Sequence, residues 1–173
     1  MTSVLIAGVG GQGSIFSARL LGTVALNCGL SVRGSETIGM AQRGGSVTSH
    51  VRMALQDGDT EIASPLIPPG RADVLIALDP AEGERNRHYL REGGLFVCCD
   101  AAQRAAVIQR CGAKSLNVAL LGVAAALGAF PFGLEELAET LHGFGQLQFA
   151  EQNRKALYLG AEMIKEAPYE PDP

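Results

Sequence analysis

Short apolar runs alternate with amphipathic stretches along most of this chain, and the alternation predicts strands and helices in turn. Val4-Leu5-Ile6-Ala7 is apolar at every position and ends in glycines, the pattern of a strand buried on both faces of a parallel sheet. From Gly13 to about Cys28 the apolar residues fall at helical spacing. Phe16, Leu20 and Val24 share one stripe, Leu21 and Cys28 lie beside it, and Gly29 ends the helix. Leu30 to Arg33 predicts a second short strand, followed by a polar loop with glycines from Gly34 to Gly44. Gly45 to Ala54 alternates, with Val47, Ser49 and Val51 on one face and Ser46, Thr48 and His50 on the other, which predicts a third strand.

Residues 55–72 carry Pro65, Pro68 and Pro69, so they read as a connection with at most one short strand, around Glu61 to Ala63. Ala72 to Leu78 is again a buried-strand run, and Asp79-Pro80 after it suits a helix cap followed by a first-turn proline. Leu95 to Cys99 predicts another strand and Gln103 to Gln109 a short helix. Asn117 to Gly128 is almost wholly apolar and predicts a buried helix. Leu134 to Leu141 and Glu151 to Lys165 predict the last helices, the second with Leu157, Ala161 and Ile164 facing inward. Strands alternating with helices in this way predict an α/β fold. The expected form is a three-layer Rossmann-like domain over residues 1–166, with a mostly parallel or mixed central sheet flanked by helices. The proline-rich residues 167–173 read as a flexible tail.

A chain of 173 residues fits one such domain. Charged residues make up 18%, against about 25% in an average protein, which predicts a surface partly covered by partners. The net charge of −4 and the lack of a basic run exclude a nucleic-acid footprint. Cys28, Cys98, Cys99 and Cys111 include no CxxC pair, so they read as reduced core thiols, and neither a metal nor an iron–sulfur cluster is expected on this chain. No basic segment precedes Val4, and no stretch of about 18 apolar residues occurs. The expected location is therefore the cytoplasm, with no membrane contact.

Gly8-Val9-Gly10-Gly11-Gln12-Gly13 is GxGxxG between a strand and a helix, the context that gives this pattern its meaning. Gly8 suits a tight turn, Gly10 lets backbone approach a pyrophosphate, and Gly13 allows close helix packing. With Gly11, Gln12 and Ser14 they form the expected phosphate cradle at a helix N-terminus. An NAD enzyme would also place an acid about 20 residues beyond the loop, and Glu36 lies near that place. Yet His50, His88 and His142 each stand alone, no serine lies in a GxSxG elbow, and no cysteine has an evident base. An NAD-dependent dehydrogenase of Rossmann type, a nucleotide-binding regulatory module and a plain packing turn all remain open on the motif alone.

A second run, from Ser35 to Val47, sets Gln42 and Arg43 beside Gly44-Gly45. Arg43 can present a planar fork to a carboxylate or phosphate, and the glycines allow close approach of another backbone. An isolated arginine of this kind is otherwise a solvated surface residue.

Taken together, GVGGQG at 8–13, GMAQRGGSV at 39–47 with Ser49-His50-Val51-Arg52, and ADVLIALDP at 72–80 resemble the gamma subunit or domain of 2-oxoacid:ferredoxin oxidoreductases, most closely the indolepyruvate type. The resemblance extends to Asn117 and to Glu151-Gln152-Asn153-Arg154-Lys155-Ala156, and so covers nearly the whole chain. Ile38 stands where the indolepyruvate-type loop usually has histidine, a departure that bears on the substrate class more than on the family.

The resemblance implies a subunit that is inactive alone. Catalytic alpha- and beta-type partners would hold thiamine diphosphate and iron–sulfur clusters, decarboxylate a 2-oxoacid and pass electrons to ferredoxin. It also implies a coenzyme A site on this chain, and a loop of Glu36, Gln42, Arg43, Gly44 and Gly45 that faces partner or substrate. This reading accounts for the missing catalytic dyad, the missing metal ligands and the weakly charged surface at once, because the hard chemistry belongs to cofactors held elsewhere.

Overall fold

The computed structural model describes residues 1–39, 44–56 and 61–166. Among them lie strands β1 (Thr2–Val9), β2 (Leu30–Ile38), β3 (Ser46–Leu55), β4 (Ala72–Ala77) and β5 (Leu90–Cys98), and helices α1 (Ser14–Asn27), α2 (Pro80–Asn86), α3 (Ala101–Cys111), α4 (Leu116–Ala126), α5 (Leu134–His142) and α6 (Ala150–Glu166). The strands form one sheet in the order β2-β3-β1-β4-β5. β1 pairs parallel with β4, and β4 with β5, while β3 runs antiparallel to both β1 and β2. The sheet is therefore mixed, within the fold class expected.

Successive strand residues face opposite sides, and the two sides are covered unequally. Val4 and Ile6 of β1 join the main core with Leu20, Leu21 and Val24 of α1 and the buried stretch of α4. Leu5 and Ala7 face the other way, into a smaller cluster with Ile67, Ala72 and Leu75. α2 lies on that second side, where a side chain at Gly83 would strike Ala77 and Phe96. The helices that follow the neighbouring strands β1 and β4 thus cover opposite faces, which opens a crevice at the carboxyl ends of these two strands.

Every residue from Leu116 to Ala124 is buried, as the apolar run predicted. α4 meets α6 backbone to backbone: a side chain on Gly122 would overlap the Leu157 carbonyl, and one on Gly160 the Ala119 carbonyl. Asp79 caps α2 by accepting from the amides of Ala81 and Glu82, with Pro80 in the first turn.

Three expectations need correction. The second strand does not stop at Arg33 but runs to Ile38, its whole length paired with β3. Its second half is exposed at the sheet edge and carries Ser35, Glu36 and Thr37, so apolar patterning could not mark it. β5 starts at Leu90 rather than Leu95: its first residues are polar and bulge out of the ladder after the Ala72–Leu90 pair, with Gly93 at φ 64°, so apolar patterning does not mark them. Residues 61–63 form no strand, in keeping with the expected connection. Cys28 is exposed at the C-cap of α1 and is not a core thiol, unlike the buried Cys99 and Cys111. The expected tail, 167–173, lies outside the described residues.

Candidate functional site

The glycine loop leaves β1 and turns directly into α1. Gln12 holds it closed, since its amide donates to the Val9 carbonyl at 3.1 Å and its side-chain Oε1 accepts from the Val9 amide at 2.9 Å. Gly8 is required by space: a Cβ there would lie 2.8 Å from Gln12 Oε1 and 3.0 Å from Leu78 Cβ. Gly11 and Gly13 are required by conformation, at φ 95° and 88°, where side chains are disfavoured. Among the described residues nothing accepts from the amides of Gly11, Gly13, Ser14, Ile15 or Phe16, so this helix start offers a row of free donors to an anion.

The backbone of Gly10 is itself engaged. Its amide donates to the carbonyl of Gly45 at 2.9 Å, which extends the β1–β3 ladder by one step. The bond brings the two motifs together. Gly39 donates in turn to the Ser46 carbonyl at 2.8 Å and closes the β2–β3 hairpin around the second motif. Below it, Ser46 Oγ donates to Glu82 Oε2 at 2.6 Å, and the buried Glu82 also pairs with Arg85 at 3.2 Å. Gly44 is exposed with φ 67°. Gln42 and Arg43 lie outside the described residues.

Glu36 is not brought to the cradle. β3 stands between β2 and β1, so Glu36 lies two strand spacings, roughly 10 Å, from β1, one spacing (about 5 Å) beyond the neighbouring strand on which a dinucleotide-binding acid would sit. It lies 4.0 Å from Arg19 of α1 instead. This order removes the frame that the dehydrogenase reading requires. His50 is structural: it is buried, its Nδ1 accepts from the Ile67 amide at 3.2 Å, and burial holds its pKa below the ordinary value.

The chain builds more around the loop than the glycines alone. A cavity of about 380 Å³ is lined by Gly11, Gly13 and Phe16 at the start of α1, Lys114, Asn117 and Val118 at the start of α4, and Phe149 and Asn153 at the start of α6. Three helix N-termini therefore converge on one space, each contributing partial positive charge. Side chains tie them together: Asn117 Nδ2 donates to Gly13 O and Ser17 Oγ, both at 3.2 Å, and Ser115 Oγ donates to Asn153 Oδ1 at 3.1 Å. Lys114 is exposed, with its ammonium 5.5 Å from the Phe149 ring centre.

Sequence reasoning placed Asn117 and Asn153 in family-like stretches but assigned neither to the site. The readable signal was an asparagine set in an otherwise apolar helix start. Among the described residues no group of three or more His, Cys, Asp or Glu side chains is placed to hold a metal, and no helix is long and apolar enough to cross a membrane.

A sheet with a glycine cradle at its β1–β4 crevice and a hairpin loop fastened beside it defines a known class. The sequence pattern of the pyruvate ferredoxin/flavodoxin oxidoreductase family matches residues 3–163, and the chain belongs to this family. Its relatives include the indolepyruvate oxidoreductase subunit IorB of Pyrococcus horikoshii, 30% identical over 95% of this chain and 96% of that protein. The same subunit of Archaeoglobus fulgidus is 29% identical over 91% and 92%.

Solved structures share the fold. The gamma subunit of a keto/oxoacid ferredoxin oxidoreductase from Geobacter sulfurreducens superposes with a TM-score of 0.76 at 23% identity, over 96% of this chain and all of that one. The 2-oxoglutarate:ferredoxin oxidoreductase of Magnetococcus marinus, solved with 2-oxoglutarate, coenzyme A and succinyl-CoA, superposes with a TM-score of 0.76 at 21% identity. There 99% of this chain corresponds to 32% of a longer one.

Proposed function

We propose that this chain works only within a complex, as the coenzyme A-binding subunit of an enzyme that oxidatively decarboxylates a 2-oxoacid to an acyl-coenzyme A. Its alpha- and beta-type partners hold thiamine diphosphate and the iron–sulfur clusters and deliver electrons to ferredoxin in the cytoplasm. Residues 1–166 act as one domain. Glu36 on the exposed edge of β2 and the loop of Gln42, Arg43, Gly44 and Gly45 face the partner subunits or the substrate, since the base of that loop is locked to the cradle by the Gly10–Gly45 bond. Indolepyruvate is the substrate in the names of the sequence relatives, and an aryl 2-oxoacid is the first candidate here.

The observation that carries this reading is the set of free amides of Gly11 and of Gly13 to Phe16 at a point where three helix N-termini converge. Phosphate groups fit such a place, because the amides supply donors without a desolvated counter-charge. Gly8, Gly10, Gly11, Gln12, Gly13 and Ser14 shape and supply the cradle. A Cβ at Gly11 meets nothing within 4 Å, so the space in front of the loop is open to a ligand.

The test is calorimetric binding of coenzyme A to the assembled complex. Gly11→Asp sets a carboxylate among the amides, and Gly11→Asn sets the same shape there without charge. Both residue types tolerate the left-handed backbone. The expected outcome is a loss of about tenfold or more for Asp and a much smaller loss for Asn. Equal binding by wild type and Gly11→Asp places the phosphates elsewhere.

A further inference from the structure

The base of the arginine loop is held from both sides of the crevice. From the α1 side the Gly10 amide donates to the Gly45 carbonyl, and on the α2 side the buried Glu82 accepts from the Ser46 hydroxyl at 2.6 Å. Neither bond is what closes the hairpin. Gly39 does that by donating to the Ser46 carbonyl, and β2 and β3 pair without a break from Ile38–Val47 onward. What the Glu82 bond fixes is the place of the loop's base relative to the crevice.

Glu82 is itself held at every polar group. Its amide donates to Asp79 Oδ1 at 3.2 Å, its carbonyl accepts from Asn86 Nδ2 at 2.8 Å, and its Oε1 lies 3.2 Å from Arg85, which leaves Oε2 for Ser46. α2 also sits tight on the sheet, since a Cβ at Gly83 would lie 2.5 Å from Ala77 Cβ and 3.0 Å from Phe96 Cζ. Burying a carboxylate costs desolvation, and tying down one serine of a hairpin already closed is slight return for it. A rigid support beneath a binding group is a stronger reason, because a displacement of about 1 Å at a reacting site lowers rates by about a hundredfold.

We propose that Glu82 is a positioning residue of the oxidoreductase: through Ser46 it sets the loop that carries Arg43, and it touches neither substrate nor cofactor itself. The assignment rests on the reading that Arg43 binds an anionic group at the junction with the partner subunits. It makes α2 part of the working site, although none of its described residues lines the cavity beside the cradle.

The test is steady-state kinetics of the assembled complex, with whichever of indolepyruvate, pyruvate and 2-oxoglutarate it oxidises fastest. Ser46→Ala removes the donor and Glu82→Ala the acceptor. Ser46→Ala deletes a single oxygen, so it reports even if Glu82→Ala, which leaves a cavity, fails to fold. Each is expected to lower kcat/KM about tenfold. Glu82→Gln keeps an acceptor for Ser46 while the exposed Arg85 turns to solvent, and it should return kcat/KM to within about threefold of wild type. In an Arg43→Ala background, Ser46→Ala should change kcat/KM by less than about twofold, because the loop then has no fork left to position. Equal losses for Ser46→Ala in both backgrounds, a Glu82→Gln complex no better than Ser46→Ala, or wild-type kinetics in Ser46→Ala beside an impaired Arg43→Ala overturns the positioning role. Wild-type kinetics in Arg43→Ala removes instead the reading beneath it.

Discussion

The amide of Gly10 donates to the carbonyl of Gly45 at 2.9 Å, so residues 35 positions apart in the chain meet at the carboxyl end of the sheet. Each belongs to a glycine-containing motif, and each motif alone admits bland readings. Their contact makes them one structure: the cradle that opens α1 and the hairpin loop that carries Arg43 cannot move independently at their bases.

That bond changes what a side chain at each glycine should do. A Cβ at Gly10 lies 3.8 Å from Gly45 O, an ordinary contact, whereas one at Gly13 lies 2.5 Å from Asn117 Nδ2 on a backbone at φ 88°. Gly10→Ala is expected to cost less than about 1 kcal/mol and Gly13→Ala about 1–3 kcal/mol. Denaturant unfolding of the two variants checks the order, and equal midpoints would contradict it.

The α4–α6 contact predicts a larger effect. Gly122→Ala drives a methyl into the Leu157 carbonyl, and relief requires the helices to separate, at about 3 kcal/mol or more. Gly22→Ala provides the contrast. In α1 the new Cβ would lie 3.6 Å from Val32 Cγ1, and helix propensity favours alanine by about 0.5–1 kcal/mol. Thermal melts should shift in opposite directions.

His50 predicts a pH dependence. Burial lowers its folded-state pKa below the ordinary 6.5, and the neutral ring accepts from Ile67. The unfolded chain then binds the extra proton first, so this stabilisation is complete above pH 6.5 and declines as pH falls from there through the folded-state value. His50→Gln keeps an acceptor but does not titrate. Its unfolding free energy between pH 8 and pH 5 should lack the part of the slope that His50 supplies to the wild type.

Arg43 is proposed to bind an anionic group at the junction with the partner subunits. Lysine keeps the charge but not the planar fork, so turnover or assembly of the reconstituted enzyme should fall clearly for Arg43→Lys and further for Arg43→Ala. Wild-type turnover and assembly in Arg43→Ala would return it to the class of solvated arginines.

Much of the fold was legible because burial writes itself into apolar runs. Val4–Ala7, Ala72–Leu78 and the α4 stretch each stand out in the sequence as apolar runs. The illegible parts were the polar ones. Ser35 to Ile38 pair with β3 at an exposed edge, where backbone bonds hold the strand and side chains carry no signature. The site divided along the same line. The glycines of the cradle announced themselves by spacing, but the engagement of the Gly10 amide depends on an antiparallel strand whose direction no local pattern encodes. Lys114, Asn117 and Asn153 join the site only because three helix starts, far apart in sequence, meet in space.

The hairpin of β2 and β3 carries one more consequence. Nine consecutive pairs, from Leu30–Leu55 to Ile38–Val47, make it a stiff arm with the arginine loop at its tip. Side chains alternate between faces along each strand, so losing one residue from β2 would turn its remaining half over and send Glu36 to the side opposite Arg19. Losing one residue from each strand would keep the pairing but turn the remaining half of both over, β3 against β1 included, so only the loss of two from each shortens the arm, by roughly 7 Å, with the faces kept. In descendants of this chain, whether evolved or engineered, length changes in the arm should come as matched deletions or insertions, with the loop advanced or withdrawn in fixed steps.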